Sequence, residues 1–320
     1  MKLSSTLFLT FFLTGLSVYY FTGAPGNPEA NPELNPLRIL TLKEGDSFSF
    51  LQIQNLQAHE TVTLKRIGPD WKLISPVTYP AENFLVEGMT AALTLSRRVR
   101  RLAIRGNRLN GLGFDSPTLK LTLATAREPR RRTLLLGGKS PAGAGIYARW
   151  EDEKEYFLMP QEVAASFERT VYSLREKRLF HLAWNKIQWV RLARDGKEFY
   201  LEKGKVPVEE FSDLIYALQS LYVKEFLDGV PPTQEELGLN PSKTFLEIGK
   251  EGAEEKIWIG VAVKEKDAFY LVREKEKLVL LVSEKNLRSL MQIMETLVPE
   301  VQHGPSREIA GNSEKNSKSL

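Results

Sequence analysis

Two stretches of the chain repeat the same succession of hydrophobic and polar positions. Apolar and polar residues alternate over TVTLKRIGPDWKL (61–73) and again over IQWVRLARDGKEFYL (187–201). Turn residues interrupt both runs, Gly68-Pro69-Asp70 in the first and Asp195-Gly196 in the second. Alternation with a period of two, broken by a turn signal, predicts a β-hairpin in each stretch.

An amphipathic helix is predicted after each hairpin. Each helix follows a proline, and the two helical stretches read AENFLVEGMTAALTL (81–95) and VEEFSDLIYALQSLYV (208–223). In the second stretch the apolar residues from Phe211 to Tyr222 recur at steps of three to four residues. This spacing places them on one stripe of a helix, which predicts burial against a sheet.

The later landmarks also follow one order in both copies. Leu112-Gly113-Phe114-Asp115-Ser116-Pro117 corresponds to Leu237-Gly238-Leu239-Asn240-Pro241, where glycine ends a helical turn and the proline step starts an extended run. The predicted strands that follow are LKLTLA, RTLLLGG, IYARW and EYFLM in the first copy, and KTFLEIG, KIWIG, AFYLV and KLVLLV in the second. Each copy ends in a predicted helix, 161–174 or 284–297.

Agreement across this many landmarks favours an internal repeat over the alternative of two unrelated α+β halves. We therefore predict an α+β fold with two similar repeat lobes, 41–180 and 181–300. Each lobe is expected to be a mostly antiparallel sheet with packed helices, and one N-terminal transmembrane helix is expected to precede them.

The N-terminus predicts a membrane anchor. Residues 3–27 carry no charged side chain, which is long enough to cross about 30 Å of hydrocarbon. Lys2 lies on one side of the apolar stretch, so we predict a signal anchor over 1–23 that spans the cytoplasmic (inner) membrane once with residues 5–23. The N-terminus is then cytoplasmic, and the bulk of the chain lies in the periplasm or outside.

Two alternatives to an anchor stay open, a cleaved signal peptide and a buried core helix. A cut after Ala24 would leave Pro25 at the new N-terminus, which disfavours cleavage. The proline-rich segment 24–40 is predicted to be an extended linker, and 301–320 a disordered tail.

Composition and motifs exclude several kinds of chemistry. The chain has no cysteine among its 320 residues, which excludes disulfides, thiolate metal sites and a cysteine nucleophile. Gly137-Gly138-Lys139-Ser140 is similar to a phosphate-binding loop, but Thr133 stands where that loop needs a glycine. The three histidines, His59, His181 and His303, lack metal-ligand spacing. We therefore predict no enzyme activity, no cofactor and no metal.

A basic segment is the remaining candidate for a binding surface. Between Ser96 and Arg132 there are eleven Lys and Arg residues and two acidic residues, a local net charge of +9 against +4 for the whole chain. The residues predicted to contact an anionic surface or partner are Arg97, Arg98, Arg100, Arg101, Arg105, Arg130, Arg131 and Arg132. Anionic lipid head groups or an acidic protein would be the partner. A solvated surface without a function is the alternative, and predicted export disfavours nucleic acid.

Several of these landmarks resemble a known family. Trp71-Lys72-Leu73, the later Leu112–Pro117 motif and Leu174-Arg175-Glu176-Lys177-Arg178-Leu179 together resemble the domain-of-unknown-function family numbered 4340, over roughly residues 45–297. The resemblance implies a bacterial envelope protein with one N-terminal transmembrane helix, often linked to ABC-type transport of the gliding-motility auxiliary kind. It supplies no catalytic residue.

The expected function is therefore that of a non-catalytic, membrane-anchored accessory protein in a bacterial envelope assembly. Membrane proteins of a transport or motility complex are its expected partners. Two alternatives remain, an exported binding module for a glycan or peptide after signal cleavage, and, third, an enzyme that modifies the envelope.

Overall fold

The structure, a computed structural model, describes residues 38–102, 111–141, 143–181, 183–229, 233–239, 244–273 and 278–297. The chain divides between Glu176 and Lys177 into two units, and each unit has its own hydrophobic core. The predicted anchor, the predicted tail and most of the predicted linker lie outside the described residues. No helix among the residues just named is long and apolar enough to span a bilayer.

Unit 1 is built on a nine-stranded sheet with the order β4-β3-β2-β1-β6-β7-β8-β9-β5, in which all neighbours are antiparallel. The strands are β1 Phe48–Asn55, β2 Glu60–Ile67, β3 Asp70–Ser75, β4 Tyr79–Pro80, β5 Arg100–Leu102, β6 Leu119–Thr125, β7 Arg132–Lys139, β8 Ile146–Trp150 and β9 Tyr156–Met159. Its described helices are α1 Asn83–Leu95, α2 Gln161–Ala165 and α3 Val171–Leu174.

Alternation along the strands decides which face of this sheet is buried. Leu119, Leu121 and Leu123 of β6 belong to the core, whereas Lys120 and Thr122 between them are only half-buried. This is the pattern of an antiparallel sheet that packs on one face. Helix α1 contributes its own buried stripe to the same core, so the helix covers the packed face.

Unit 2 contains a seven-stranded sheet with the order β11-β10-β13-β14-β15-β16-β12, and its neighbours are again antiparallel. The strands are β10 Trp189–Arg194, β11 Lys197–Glu202, β12 Val223–Leu227, β13 Phe245–Lys250, β14 Ala253–Val263, β15 Ala268–Arg273 and β16 Leu278–Ser283. Its described α-helices are α4 Val208–Gln219 and α5 Glu284–Leu297, and two short 3-10 helices cover Trp184–Lys186 and Lys264–Lys266. The chain therefore forms two lobes of mostly antiparallel sheet with packed helices.

The two sheets share one strand order. The run β2-β1-β6-β7-β8-β9-β5 in unit 1 corresponds strand for strand to β11-β10-β13-β14-β15-β16-β12 in unit 2. The predicted match of the hairpin 61–73 with 187–201 is wrong, however. That hairpin is β2–β3, whereas β10–β11 corresponds to β1–β2, because β10 pairs directly with β13 and β1 pairs directly with β6. Strands β3 and β4 are an addition at the edge of unit 1.

The Leu-Gly landmark has the same role in both units. The N–H of Gly138 donates to the carbonyl of Leu112 (2.8 Å), and the N–H of Val261 donates to the carbonyl of Leu237 (2.9 Å). In both places the register of the next hairpin shifts, between positions 136 and 139 on β7 and between 259 and 262 on β14. Each unit thus fastens its Leu-Gly loop to a β-bulge.

Two predicted helices differ from the observed ones. The helix predicted over 161–174 is two short helices, α2 and α3, because the Thr170 hydroxyl accepts the N–H of Ser173 (3.2 Å) and so starts a new helix. The helix predicted over 208–223 ends at Gln219, since Val223 already belongs to β12. The helix predicted over 284–297 is confirmed.

Candidate partner-binding surface

The arginines of the basic segment fall into two groups in unit 1. One group follows α1 and begins β5, and the other leads into β7. The members are Arg97, Arg98, Arg100 and Arg101 in the first group and Arg130, Arg131 and Arg132 in the second. Arg105 lies outside the described residues.

Arg98 belongs to the interior of unit 1 more than to its surface. Its side chain is 10% exposed, and its guanidinium carbon lies 4.3 Å from the centre of the Phe157 ring. The guanidinium pairs with Glu155 at 2.6 Å and donates to the carbonyl of Arg38 at 3.1 Å. Arg101 reaches the same Glu155 carboxylate at 3.0 Å. One carboxylate of the β8–β9 hairpin thus neutralises part of the first group.

The same hairpin neutralises Arg132 in the second group. Arg132 pairs with Asp152 at 2.9 Å and with Glu153 at 2.7 Å, and its guanidinium carbon lies 4.5 Å from the Trp150 ring centre. Burial by itself lowers the pKa of Arg132, but the hydrogen bonds to the two carboxylates raise this pKa overall. The hydrogen bond from Arg132 in turn lowers the pKa of Asp152.

Five of the predicted arginines are exposed among the described residues: Arg97, Arg100, Arg101, Arg130 and Arg131. The Arg131 guanidinium lies 4.1 Å from the centre of the Phe50 ring. Arg98, Arg101 and Arg132 meet acidic residues of the β8–β9 hairpin, which reduces the local positive charge.

The residues considered for catalysis or metal binding are scattered. Among the described residues no group of three or more His, Asp or Glu side chains could hold a metal ion. His181 contacts Arg273, His59 occupies a turn with φ 53°, and His303 lies outside the described residues. Ser140, from the motif that is similar to a phosphate-binding loop, lies in the turn between β7 and β8. Its N–H donates to the carbonyl of Gly145 (2.9 Å), a hydrogen bond that holds this turn together.

A groove of about 570 Å³ lies between α4 and α5 of unit 2. The two helices are antiparallel there, because Asn286 near the start of α5 donates to the carbonyl of Ser220 at the end of α4 (2.9 Å). The residues that line the groove are Glu210, Asp213, Tyr216, Ala217, Ser220, Lys285, Asn286, Ser289, Gln292, Ile293, Thr296 and Leu297.

The groove has an apolar floor and an acidic end. Ala217 and Ile293 form part of its floor, and the Tyr216 ring stands beside them with 76% of its surface exposed. Glu210 and Asp213 approach the C-terminal end of α5, and neither has an ion pair within the described chain. An apolar side chain and a cation of one partner segment would find matching surfaces here.

Sequence reasoning missed this groove. It identified the apolar stripe of α4 that faces the sheet, but Tyr216 lies on the opposite, polar side of the helix. An aromatic residue three positions after Asp213 on that polar side is a signal that the sequence does contain. The second wall, α5, begins about 65 residues after α4 ends, so no local pattern indicates that the helices meet.

The landmarks that carry the family resemblance stabilise the fold. Trp71 is fully buried, and its indole N–H donates to Glu87 (3.0 Å) while its backbone N–H donates to Asn83 (2.6 Å). In the segment 174–179, the N–H of Glu176 donates to the carbonyl of Pro80 (2.9 Å). These contacts hold strands and helix in place.

Comparison with known proteins identifies a family of undetermined function. The family model described as "Domain of unknown function (DUF4340)" matches residues 71–227, a narrower range than the expected 45–297. The match begins in β3 and ends with β12, so it includes the junction between the units. No curated protein and no solved structure matches the chain. Residues 71–227 therefore belong to the domain-of-unknown-function 4340 family.

Proposed function

We propose that this protein is a non-catalytic accessory of a bacterial envelope assembly, held in the cytoplasmic membrane by residues 5–23. Both units lie on the outer side of that membrane. An ABC-type transport or motility complex is the proposed partner, an association that the family resemblance implies.

The groove between α4 and α5 is the observation that carries this proposal. Tyr216 and the half-buried Ile293 offer apolar surface, and Glu210 and Asp213 offer negative charge beside it. Aromatic side chains at the centre of an interface commonly contribute most of the binding energy. A surface of this kind suits an amphipathic helix of a partner protein that presents a lysine or arginine.

The groove predicts which substitutions disrupt the complex. Asp213→Lys inverts a charge inside the groove, whereas Glu209→Lys makes the same change on the same helix outside the groove lining. We expect D213K to reduce recovery of transporter subunits about tenfold in gentle detergent, because a like charge then meets the partner's cation. E209K should leave recovery unchanged, and both variants should unfold at the wild-type denaturant midpoint.

Two results would each contradict one part of this proposal, the first the accessory role and the second the use of the groove. One is the absence of any transporter ATPase or permease from repeated purifications of the wild-type chain. The other is equal recovery with D213K and E209K, which would remove the groove from the interaction even if a complex exists.

The anchor has a separate test. Membrane fractionation followed by N-terminal sequencing should find the intact N-terminus in the membrane fraction. A mature N-terminus at Pro25 in the soluble fraction would instead support the exported binding module. In that case glycans and peptides become the ligands to test against the groove.

A further inference from the structure

The outer side of α1 is unusually apolar for an exposed helix surface. Phe84, Gly88, Ala91 and Leu95 follow one another at steps of four, three and four residues, which aligns them on one stripe. Phe84 is 88% exposed and Leu95 is 74% exposed. These four residues carry no charge, and the charged residue beside them, Glu87, is paired with Arg66.

Helix α4 of unit 2 provides an internal comparison. It occupies the corresponding position, between the first hairpin of its sheet and the edge strand. Two apolar residues of α4, Val208 and Tyr216, are also exposed, at 74% and 76%. Glu209, Ser212 and Asp213 are exposed on the same helix, so α4 mixes polar and apolar groups, whereas the stripe of α1 contains no polar side chain.

Cationic side chains follow directly after the apolar stripe. Arg97 and Arg100 are exposed, and Val99 between them is 47% exposed. The N–H of Val99 donates to the carbonyl of Leu158 (2.8 Å), so this segment is fixed to the edge of the sheet. We call Phe84, Leu95, Arg97, Val99 and Arg100 together the α1 surface.

The chain also enters unit 1 at this place. Arg38, the first described residue, forms a β-bridge with Arg97, and the N–H of Ile39 donates to the carbonyl of Ser96 (3.3 Å). Ile39 is buried, which fixes the point of entry of the chain. The fourteen residues 24–37 can span at most about 50 Å. A bilayer that holds residues 5–23 is therefore within reach of the α1 surface.

We infer that the α1 surface rests on the bilayer and binds anionic phospholipid head groups. This inference rests on the membrane anchor of the proposed function. It adds which side of unit 1 faces the membrane. Phe84 and Leu95 would enter the boundary between head groups and acyl chains, while Arg97 and Arg100 would contact the phosphates. Each cation near an anionic surface strengthens binding about fivefold.

The absence of cysteine from the chain permits a direct test. Leu95→Cys and, as a control on the matching helix, Ser212→Cys each introduce a single labelling site for a bimane fluorophore. The full chain is then reconstituted in nanodiscs of phosphatidylcholine alone or with one quarter phosphatidylglycerol. Nitroxide-labelled lipids in the discs quench any fluorophore that approaches the acyl chains.

We expect strong quenching of the L95C label in the phosphatidylglycerol discs and weaker quenching in phosphatidylcholine. The S212C label should stay unquenched in both. Adding Arg97→Ser and Arg100→Ser to L95C should reduce the quenching in anionic discs to the level in neutral ones. Unfolding midpoints equal to wild type would show that the exposed substitutions leave the fold intact.

Three outcomes would overturn the inference. The first is an unquenched L95C label on chains that have incorporated into discs. The second is quenching that depends neither on phosphatidylglycerol nor on the two arginines. The third is cross-linking of L95C between copies, which would assign the surface to contact with a second chain. Failure to incorporate would instead contradict the anchor. The labelled chain would then be added to preformed phosphatidylglycerol vesicles, where quenching supports the lipid contact and its absence overturns it.

Discussion

Gly260 and Gly137 occupy equivalent positions in the two sheets, each beneath a Leu-Gly loop. A Cβ atom on Gly260 would collide with the carbonyl oxygen of Leu237, and one on Gly137 would collide with that of Leu112. The obstacle is backbone in both cases, so no side chain can move aside. We expect Gly260→Ala and Gly137→Ala each to lower the free energy of unfolding by about 1–3 kcal/mol, measured by urea denaturation.

Gly229 is the control for this prediction. A Cβ atom there meets nothing within 4 Å, and its φ is not in the left-handed region. Gly229→Ala should therefore change stability little. If Gly260→Ala were as stable as Gly229→Ala, the loop would not be docked on the bulge in the way described.

The carboxyl group of Asp46 makes the stability of the fold depend on pH. Burial raises the pKa of this carboxyl, but hydrogen bonds from the Thr125 hydroxyl and from the N–H groups of Arg127 and Ser47 lower it overall. A carboxyl with a pKa below its unfolded value of about 3.9 stabilises the fold above that pH. This stabilisation disappears as pH falls through the folded-state pKa.

Asp46→Asn removes that titration. We expect the variant to lose less stability than wild type between pH 4 and pH 2, measured as the urea midpoint at each pH. Identical slopes for the two proteins would mean that Asp46 has the same pKa in the folded and unfolded chains.

Among whole elements, α1 allows a test of helix propensity without a packing change. Gly88 lies on its exposed stripe, and a Cβ atom there meets nothing within 4 Å. Gly88→Ala should raise the free energy of unfolding by about 0.5–1 kcal/mol, since glycine weakens a helix interior. Gly252→Ala is the matched contrast, because its position is equally open but has φ +75°. The free energy of unfolding of that variant should fall by about 1 kcal/mol, because a residue with a Cβ atom is strained at positive φ.

The elements also show how far the sequence predicts this fold. Helix 284–297 has a strong apolar period, and its predicted bounds are those observed. Period-two alternation identified β6 and β8, but it indicates which face is buried and not which strand is the neighbour. The hairpin β2–β3 was predicted but matched with the wrong hairpin, and the strands β1 and β4 were missed.

The neighbours of the candidate site residues could not be predicted for a similar reason. The sequence shows that Arg98 and Arg132 lie in a basic segment, but only the folded sheet brings Glu155 and Asp152 beside them. The groove between α4 and α5 likewise depends on a helix pair that is distant in the chain. Local pattern predicts charge and amphipathicity well, and it does not predict which surfaces end up facing each other.

At the scale of the whole molecule, the two units have separate cores. Leu64 is fully buried in the core of unit 1, and Leu246 is fully buried in that of unit 2. A Leu→Ala change in a core costs about 2–5 kcal/mol. We expect calorimetry of the full chain to show two unfolding transitions. Leu64→Ala should lower the midpoint temperature of one transition by about 5–20 °C, and Leu246→Ala should lower that of the other by a similar amount. Leu95→Ala, at an exposed position, should move neither, and a single transition lowered by both core variants would contradict independent cores.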